Sequence, residues 1–438
     1  MKLTRISLRL ILLLLLPYFT SAEPPCPAPS SVRGRDVLAL VEELAGPAYE
    51  GRMIGSAGGL LAARRLEGLL RTAGFGVEFQ EFPERIGVLR GEARLEIRLP
   101  GGAPEAFEYR RDFRETVRGG WVGGQATGPL RVLETKQEEF PRGSVLLVPA
   151  ASYDPENLDE YASRGAVGVI LELPEGSPAQ RTGYTGSPPG RLVEPRKGPV
   201  VLAVSKSAFR RLETAARGGA AVRMASPVRF EDVTGRNLIA VWNGDGGGVK
   251  PRLVLMAHYD HMGMDLDGRA FGGALDNASG AALVVRLAEA LAGRNLSADF
   301  AVVLTDGEEI NLSGSWTLAN RPPFPLKGAA VLNLDMVGSG SDLPVSVFYN
   351  GDPASRGLAD ATAAALASAG FRPSLQAYVH NLDHAHLPRA GARAVSVCEY
   401  DTAVYHTKGD LPSLLSETEL SALGEAFLRL ALEELSIY

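Results

Sequence analysis

The sequence predicts an α/β protein: a wound sheet flanked by helices, interrupted by a second, self-contained α/β or β-rich unit. Three observations point there. After Thr234, short apolar runs alternate with helical stretches, the rhythm of a sheet covered by helices. Between residues 128 and 226 that rhythm gives way to shorter strands and a loop rich in Gly and Pro. The chain of 438 residues is also too long for one ordinary domain, and its 45% of hydrophobic residues suffices for a large core.

The N-terminus reads as an address. Lys2, Arg5 and Arg9 make a basic start, Leu10 to Leu16 an apolar run, and Thr20-Ser21-Ala22 a small-residue cleavage site. Residues 1–22 are therefore expected to be a signal peptide and the protein to be secreted or periplasmic. The apolar run falls short of the roughly 20 residues a bilayer core needs, and Pro17 breaks it, so no stable membrane span is expected. Pro24-Pro25 ahead of Cys26 argue against a lipoprotein. Residues 23–35 form a polar, Pro-rich linker.

A helical pattern starts at Asp36 with VLALVEEL and resumes in GGLLAARRLEGLLRTAGF, where Gly74 is the stop, so 36–85 open the larger domain. Residues 85–120 mix short apolar pairs with charge and predict no clear element. Within them RRDFRETVR, at 110–118, reads as a solvated face rather than a polyanion site. The insert is expected over 118–228, with strands at 144–148, 167–173 and 199–204 and helices at 157–166 and 207–218. From 229 to 438 the larger domain resumes. Strands are expected at 237–242, 252–258, 300–306, 330–337, 345–350 and 392–399, and helices at 278–292, 354–369 and 416–435.

Composition narrows the function. A net charge of −6 argues against a nucleic-acid binder driven by counterion release. Two cysteines allow neither a disulfide scaffold nor a four-cysteine zinc cluster. All six histidines lie between His258 and His406, so only the last part of the chain supplies histidine chemistry.

Ligands of open α/β sheets bind beyond the carboxyl ends of the strands. There the sequence places His258-Tyr259-Asp260-His261, then Gly307-Glu308-Glu309, Asp335, and a loop with Tyr405-His406. Between the first two lies GGALDNASG, which carries Asp276 just ahead of a helix. Neutral imidazoles and carboxylates in this number suit zinc and similar divalent metals. Two histidines and three carboxylates satisfy two adjacent metals if one carboxylate bridges them.

Here the chain resembles the zinc aminopeptidase family that includes secreted bacterial leucyl aminopeptidases, glutamate carboxypeptidase II and the glutaminyl cyclases. AHYDHMG, GGALDNASG, GEEINLSGS, LNLDMVG, LDHAHLPRAGARAV and YHTKGD carry the resemblance, in the family's order, over about 235–412. It implies a mixed, mostly parallel central sheet and two Zn2+ per chain. His258 and Asp335 would bind one zinc, Glu309 and His406 the other, and Asp276 would bridge them. Glu308 would be the general base, Asp260 would fix the tautomer of His258, and Tyr405 would hydrogen-bond the oxyanion. The peptide bond after Asp276 would be cis. The insert resembles a protease-associated domain through GSVLLV, EYASRGAVGVILEL and PVVLAVS.

Other residues read more blandly. His261 is expected to pack or hydrogen-bond near the site rather than ligate. Asp383-His384 matches a pair that lines the family's pocket, and whether it touches substrate stays open. His380 and His386 are expected to be structural or exposed, and Cys398 a buried small hydrophobe rather than a nucleophile. Pairing of Cys398 with Cys26 is not expected. Leu275 departs from the family, where an acidic residue is common, so a supporting hydrogen bond is expected to be lost, loosening the bridge or leaving more of the pocket apolar. The reading is an exported aminopeptidase acting on peptide substrates. Carboxypeptidase or dipeptidase action, glutaminyl cyclisation and a non-catalytic receptor-like role are the alternatives.

Overall fold

The computed structural model describes residues 31–436 apart from 117–119, 136–137, 153–156, 184–189, 191, 193, 245–249, 295, 342 and 378–380. The expected signal peptide, Cys26, most of the linker and His380 lie outside the described residues. In chain order the strands are β1 (Gly76–Leu89), β2 (Arg94–Arg98), β3 (Glu105–Ala106), β4 (Phe113–Glu115), β5 (Gly124–Val132), β6 (Val145–Val148), β7 (Gly168–Glu172) and β8 (Val200–Val204). They continue with β9 (Ala221–Ser226), β10 (Val228–Trp242), β11 (Leu253–His258), β12 (Phe300–Thr305), β13 (Ala330–Asp335), β14 (Ser346–Tyr349), β15 (Ser374–Ala377) and β16 (Arg393–Cys398). The helices are α1 (Gly34–Leu44), α2 (Ala57–Thr72), α3 (Asn157–Ser163), α4 (Lys206–Arg217), α5 (Gly280–Ala292), α6 (Ser313–Asn320), α7 (Pro353–Ser368) and α8 (Glu417–Ser436).

The larger sheet has the order β1-β10-β12-β11-β13-β16-β14-β15. Its centre, β12-β11-β13-β16, is parallel, and the pairs β1·β10, β10·β12 and β14·β16 are antiparallel. Strands β11, β12 and β13 are buried along their whole length, as near-continuous apolar runs should be when helices cover both faces. Alternation sorts their side chains. Leu253, Leu255 and Ala257 join the core under α1, α2, α5 and α8, whereas Val254 and Met256 join the opposite core with Leu318 of α6 and Leu387. No helix among the described residues is long and apolar enough to cross a membrane.

β1 and β10 pair over their full length, from Gly76↔Val241 to Leu89↔Val228. This ribbon carries the chain out to a second sheet, order β3-β2-β9-β5-β6-β7-β8-β4, and back. The second unit therefore begins at Arg94 and not near 118. β2 was illegible because Arg94, Glu96 and Arg98 alternate with Leu95 and Ile97. Leu95 and Ile97 are buried, and such a half-buried strand shows only a short period-two signal. Among the described residues 110–116, the segment is likewise not a solvated face throughout, although Arg111 is exposed. Phe113 and Glu115 are buried, and the Arg110 side chain keeps only 12% of its exposure. The Arg110 charge is met by Glu115 and Asp265 rather than by water.

Candidate metal centre

The carboxyl ends of the parallel strands bring the histidines and acids together. His258 closes β11 opposite Thr305 of β12, and Asp335 closes β13 opposite Cys398 of β16. The turn after β12 delivers Glu308 and Glu309. The loop after β16 delivers Tyr405 and His406, which has a left-handed φ of 55°. Asp276 sits in a π-type turn, Ala274–Ser279, ahead of α5, and the Asp276-Asn277 peptide bond is cis. Ser279, not Asp276, occupies the position before α5. Gly273 enters this turn with φ 60°, and a Cβ there would lie 2.5 Å from the His261 ring, so only glycine fits.

The two oxygens of Asp276 face different histidines. Oδ1 is 3.4 Å from His258 Nε2, and Oδ2 is 3.4 Å from His406 Nε2. On the first side His258 Nε2 is also 3.4 Å from Asp335 Oδ1. On the other, His406 Nε2 is 2.8 Å from Glu309 Oε2. His258, Glu308 and Asp335 each offer a ligand atom within 4.8 Å of the others, as do His258, Asp276 and Glu309. All eight residues singled out in the sequence lie in or against this one site.

Supporting contacts hold the donors in place. His258 Nδ1 faces the Asp260 carbonyl at 3.2 Å and its carboxylate at 3.5 Å. The same carboxylate accepts the backbone N–H groups of Glu308 and Glu309. His261 Nδ1 lies 2.9 Å from Glu309 Oε1, which accepts its hydrogen bond. Two residues were not singled out in the sequence. Asp410, inside YHTKGD, accepts the N–H of Leu275 at 2.7 Å and of Asp276 at 3.0 Å. Arg52 is fully buried and donates to the carbonyls of Leu44, Tyr259, Gly272 and Gly273, tying the Asp276 turn to the end of β11. Its only sequence signal is its place in the glycine-flanked EGRMIGSAGG.

Packing so many acids together has electrostatic consequences. Burial, reinforced by the neighbouring carboxylates and opposed by His258, pushes the Glu308 carboxyl well above the usual carboxylate range. Burial also disfavours ionised Asp276, but the adjacent His258 and His406 imidazoles prevail and hold it well below that range. Burial opposes charging His258, yet Asp335 and Glu308 outweigh it and raise its pKa. Among the described residues, Asp276, Glu308, Glu309 and Asp335 make no ion pair with Lys or Arg. Asp276 Oδ2 is buried without a hydrogen-bond donor. A buried, uncompensated set of carboxylates with imidazoles fits divalent cations of the zinc kind.

The site opens into a cavity of about 330 Å3. His258, Asp276, Glu308 and Asp335 form its polar end, and Met336, Phe348, Leu382, Cys398, Tyr400 and Tyr405 its apolar wall. Leu275 is fully buried and packs against Met336 and Cys398, two residues of that wall, without lining the cavity itself. Asn381 and Leu382 line the cavity, while Asp383 and His384 are fully buried behind it. Asp383 accepts from Thr305 Oγ1, and His384 Nδ1 meets Ser396 Oγ. Cys398 is a buried free thiol, pushed up in pKa by burial.

Comparison with known proteins agrees with this geometry. Residues 237–431 match peptidase family M28. No curated protein matches the sequence. An aminopeptidase from Aneurinibacillus sp. shares 19% identity at a TM-score of 0.64, over 90% of this chain and 93% of that one. A zinc aminopeptidase from Bacillus subtilis shares 18% at 0.68, over 92% and 96%. A peptidase M28 precursor from Shewanella amazonensis shares 18% at 0.64, with the same coverage. At these identities the likeness is one of fold.

Proposed function

We propose that this chain, whose residues 237–431 match peptidase family M28, is an exported di-zinc aminopeptidase that removes the N-terminal residue of peptides. The observation that carries this is the placing of the two Asp276 oxygens, each against a different imidazole, with Asp335 completing one side and Glu309 the other. Two zinc ions held there would supply Lewis acidity, polarising the scissile carbonyl and acidifying the attacking water. Zinc aminopeptidase relatives of the same fold support that metal.

The chain's own residues do the rest. Glu308 lies beside the metal donors without ion-pairing to an imidazole, and its raised pKa suits a group that takes a proton from water and returns it to the leaving amine. Tyr405, on the cavity wall, donates its hydroxyl to the carbonyl oxygen as charge develops there. Asp260 orients His258. The acidic end of the cavity attracts a substrate's ammonium group, and among the described residues no Lys or Arg lines it to receive a free carboxylate. That favours aminopeptidase over carboxypeptidase action. The second unit is proposed to be a protease-associated domain, and residues 1–22 the export signal.

The test is metal reconstitution. Chelated protein titrated with zinc should regain release of an N-terminal residue with full activity at two equivalents. Saturation at one equivalent would overturn the two-metal assignment.

A further inference from the structure

A second cluster of charged residues lies where the insert meets the loop carrying Tyr405 and His406. Arg181, beyond β7, directs its guanidinium at that loop. Nε donates to the Tyr405 carbonyl at 3.2 Å, Nη2 donates to the Thr402 carbonyl, and the group lies 5.4 Å from the centre of the Tyr405 ring. The next residue, Thr182, is fully buried. Its N–H donates to the His406 carbonyl at 3.0 Å and its hydroxyl to Glu115 at 2.9 Å.

This contact is anchored from behind. The Arg181 carbonyl accepts from Arg114 at 2.8 Å and Arg110 at 3.3 Å. Arg110 pairs with Glu115 of its own unit and with Asp265 of the larger domain. Asp265 in turn holds Lys408, two residues past His406. A continuous polar chain thus runs from the insert to both flanks of the Tyr405-His406 pair.

We propose that Arg181 is a positioning residue: by gripping the carbonyls of Thr402 and Tyr405 it sets the Tyr405 hydroxyl against the substrate's carbonyl oxygen. The insert is then part of the catalytic apparatus rather than a cap. This rests on Tyr405 being the oxyanion donor. The physical case is one of rigidity. Residues 399–407 form no helix or strand; within the loop the Tyr405 N–H donates to the Asp401 carbonyl and its ring stacks on His406, and the Arg181 contacts add a brace from outside. The planar guanidinium fork can hold two carbonyls at once, which an ammonium cannot match. Small misplacements of a catalytic donor cost up to about a hundredfold in rate.

The experiment is a double-mutant cycle on the full, zinc-loaded chain. Arg181→Met keeps the aliphatic stem and removes the donors. It should lower kcat about tenfold to a hundredfold with KM, zinc content and Tm near wild type, and Arg181→Lys should recover part of the loss. In a Tyr405→Phe background the same change should cost almost nothing further. A wild-type kcat in Arg181→Met overturns the proposal. So does a multiplicative loss in the double mutant, which leaves the role of Tyr405 standing. A Tyr405→Phe enzyme with wild-type kcat overturns the oxyanion assignment and the proposal together. If Arg181→Met does not fold, the cycle is run with Arg181→Lys, and a multiplicative loss there again overturns it.

Discussion

The carboxylate of Asp260 accepts the backbone N–H of Glu308 at 3.2 Å while its own main-chain carbonyl faces His258 Nδ1. One residue thus ties the end of β11 to the turn after β12, and a proposed ligand to the proposed base. Asp260→Ala removes the acceptor for the N–H groups of both Glu308 and Glu309. Zinc affinity should fall roughly 10- to 100-fold, the usual cost of losing a partner behind a ligand. Competition with a chromophoric chelator measures it, and an unchanged affinity would show that Asp260 does not position the site.

Glu308→Gln should separate binding from chemistry. The amide keeps size and polarity but cannot take a proton, so zinc content should stay at the wild-type level while kcat falls by about 100- to 10,000-fold. Metal analysis and steady-state kinetics on the same preparation check both halves. A variant with wild-type turnover would remove Glu308 from the base role.

Asp410→Ala should act through the Asp276 turn. It orphans the buried N–H groups of Leu275 and Asp276, and leaving such donors unpaired costs about 1–3 kcal/mol each. A loss of about 2–4 kcal/mol in urea unfolding, with weakened zinc binding, is expected. A loss under about 0.5 kcal/mol would mean that the turn holds itself.

A carboxyl pair away from the metal donors should shape the pH dependence of stability. Burial raises the pKa of Glu399, and burial with the charge of Glu399 pushes Glu419 up to about 7. Their carboxyl groups also accept the N–H groups of Ser339 and Gly340. The folded pair therefore keeps a proton that the unfolded chain loses near pH 4.5. Stability from this source is complete below that pH and is lost as pH rises toward 7. Glu419→Gln should match wild type in Tm at pH 4.5 and exceed it at pH 8. Parallel Tm curves would show that the pair is not coupled to folding.

Much of the molecule was legible because its signals are local. β11, β12 and β13 are near-continuous apolar runs that end in His258, Thr305 and Asp335, and strand ends are where such sheets present chemistry. What escaped depends on distant partners. Arg52 reads as any loop arginine until Leu44, Tyr259 and the Gly272-Gly273 carbonyls surround it. RRDFRETVR has the composition of a wet surface, and the burial of Arg110 becomes visible only when Asp265, distant in sequence, joins Glu115 in pairing with it. β2 hides its strand character behind alternating charge.

The central claim is that the cavity receives a free amino terminus at the acidic end formed by Glu308, Asp335 and Asp276. The zinc-loaded protein should be offered one peptide in free, N-acetylated and C-amidated forms, with product release followed by mass spectrometry. Loss of the N-terminal residue from the free and C-amidated peptides, and no cleavage of the N-acetylated one, is the predicted result. Cleavage of the N-acetylated peptide, abolished by C-amidation, would contradict it.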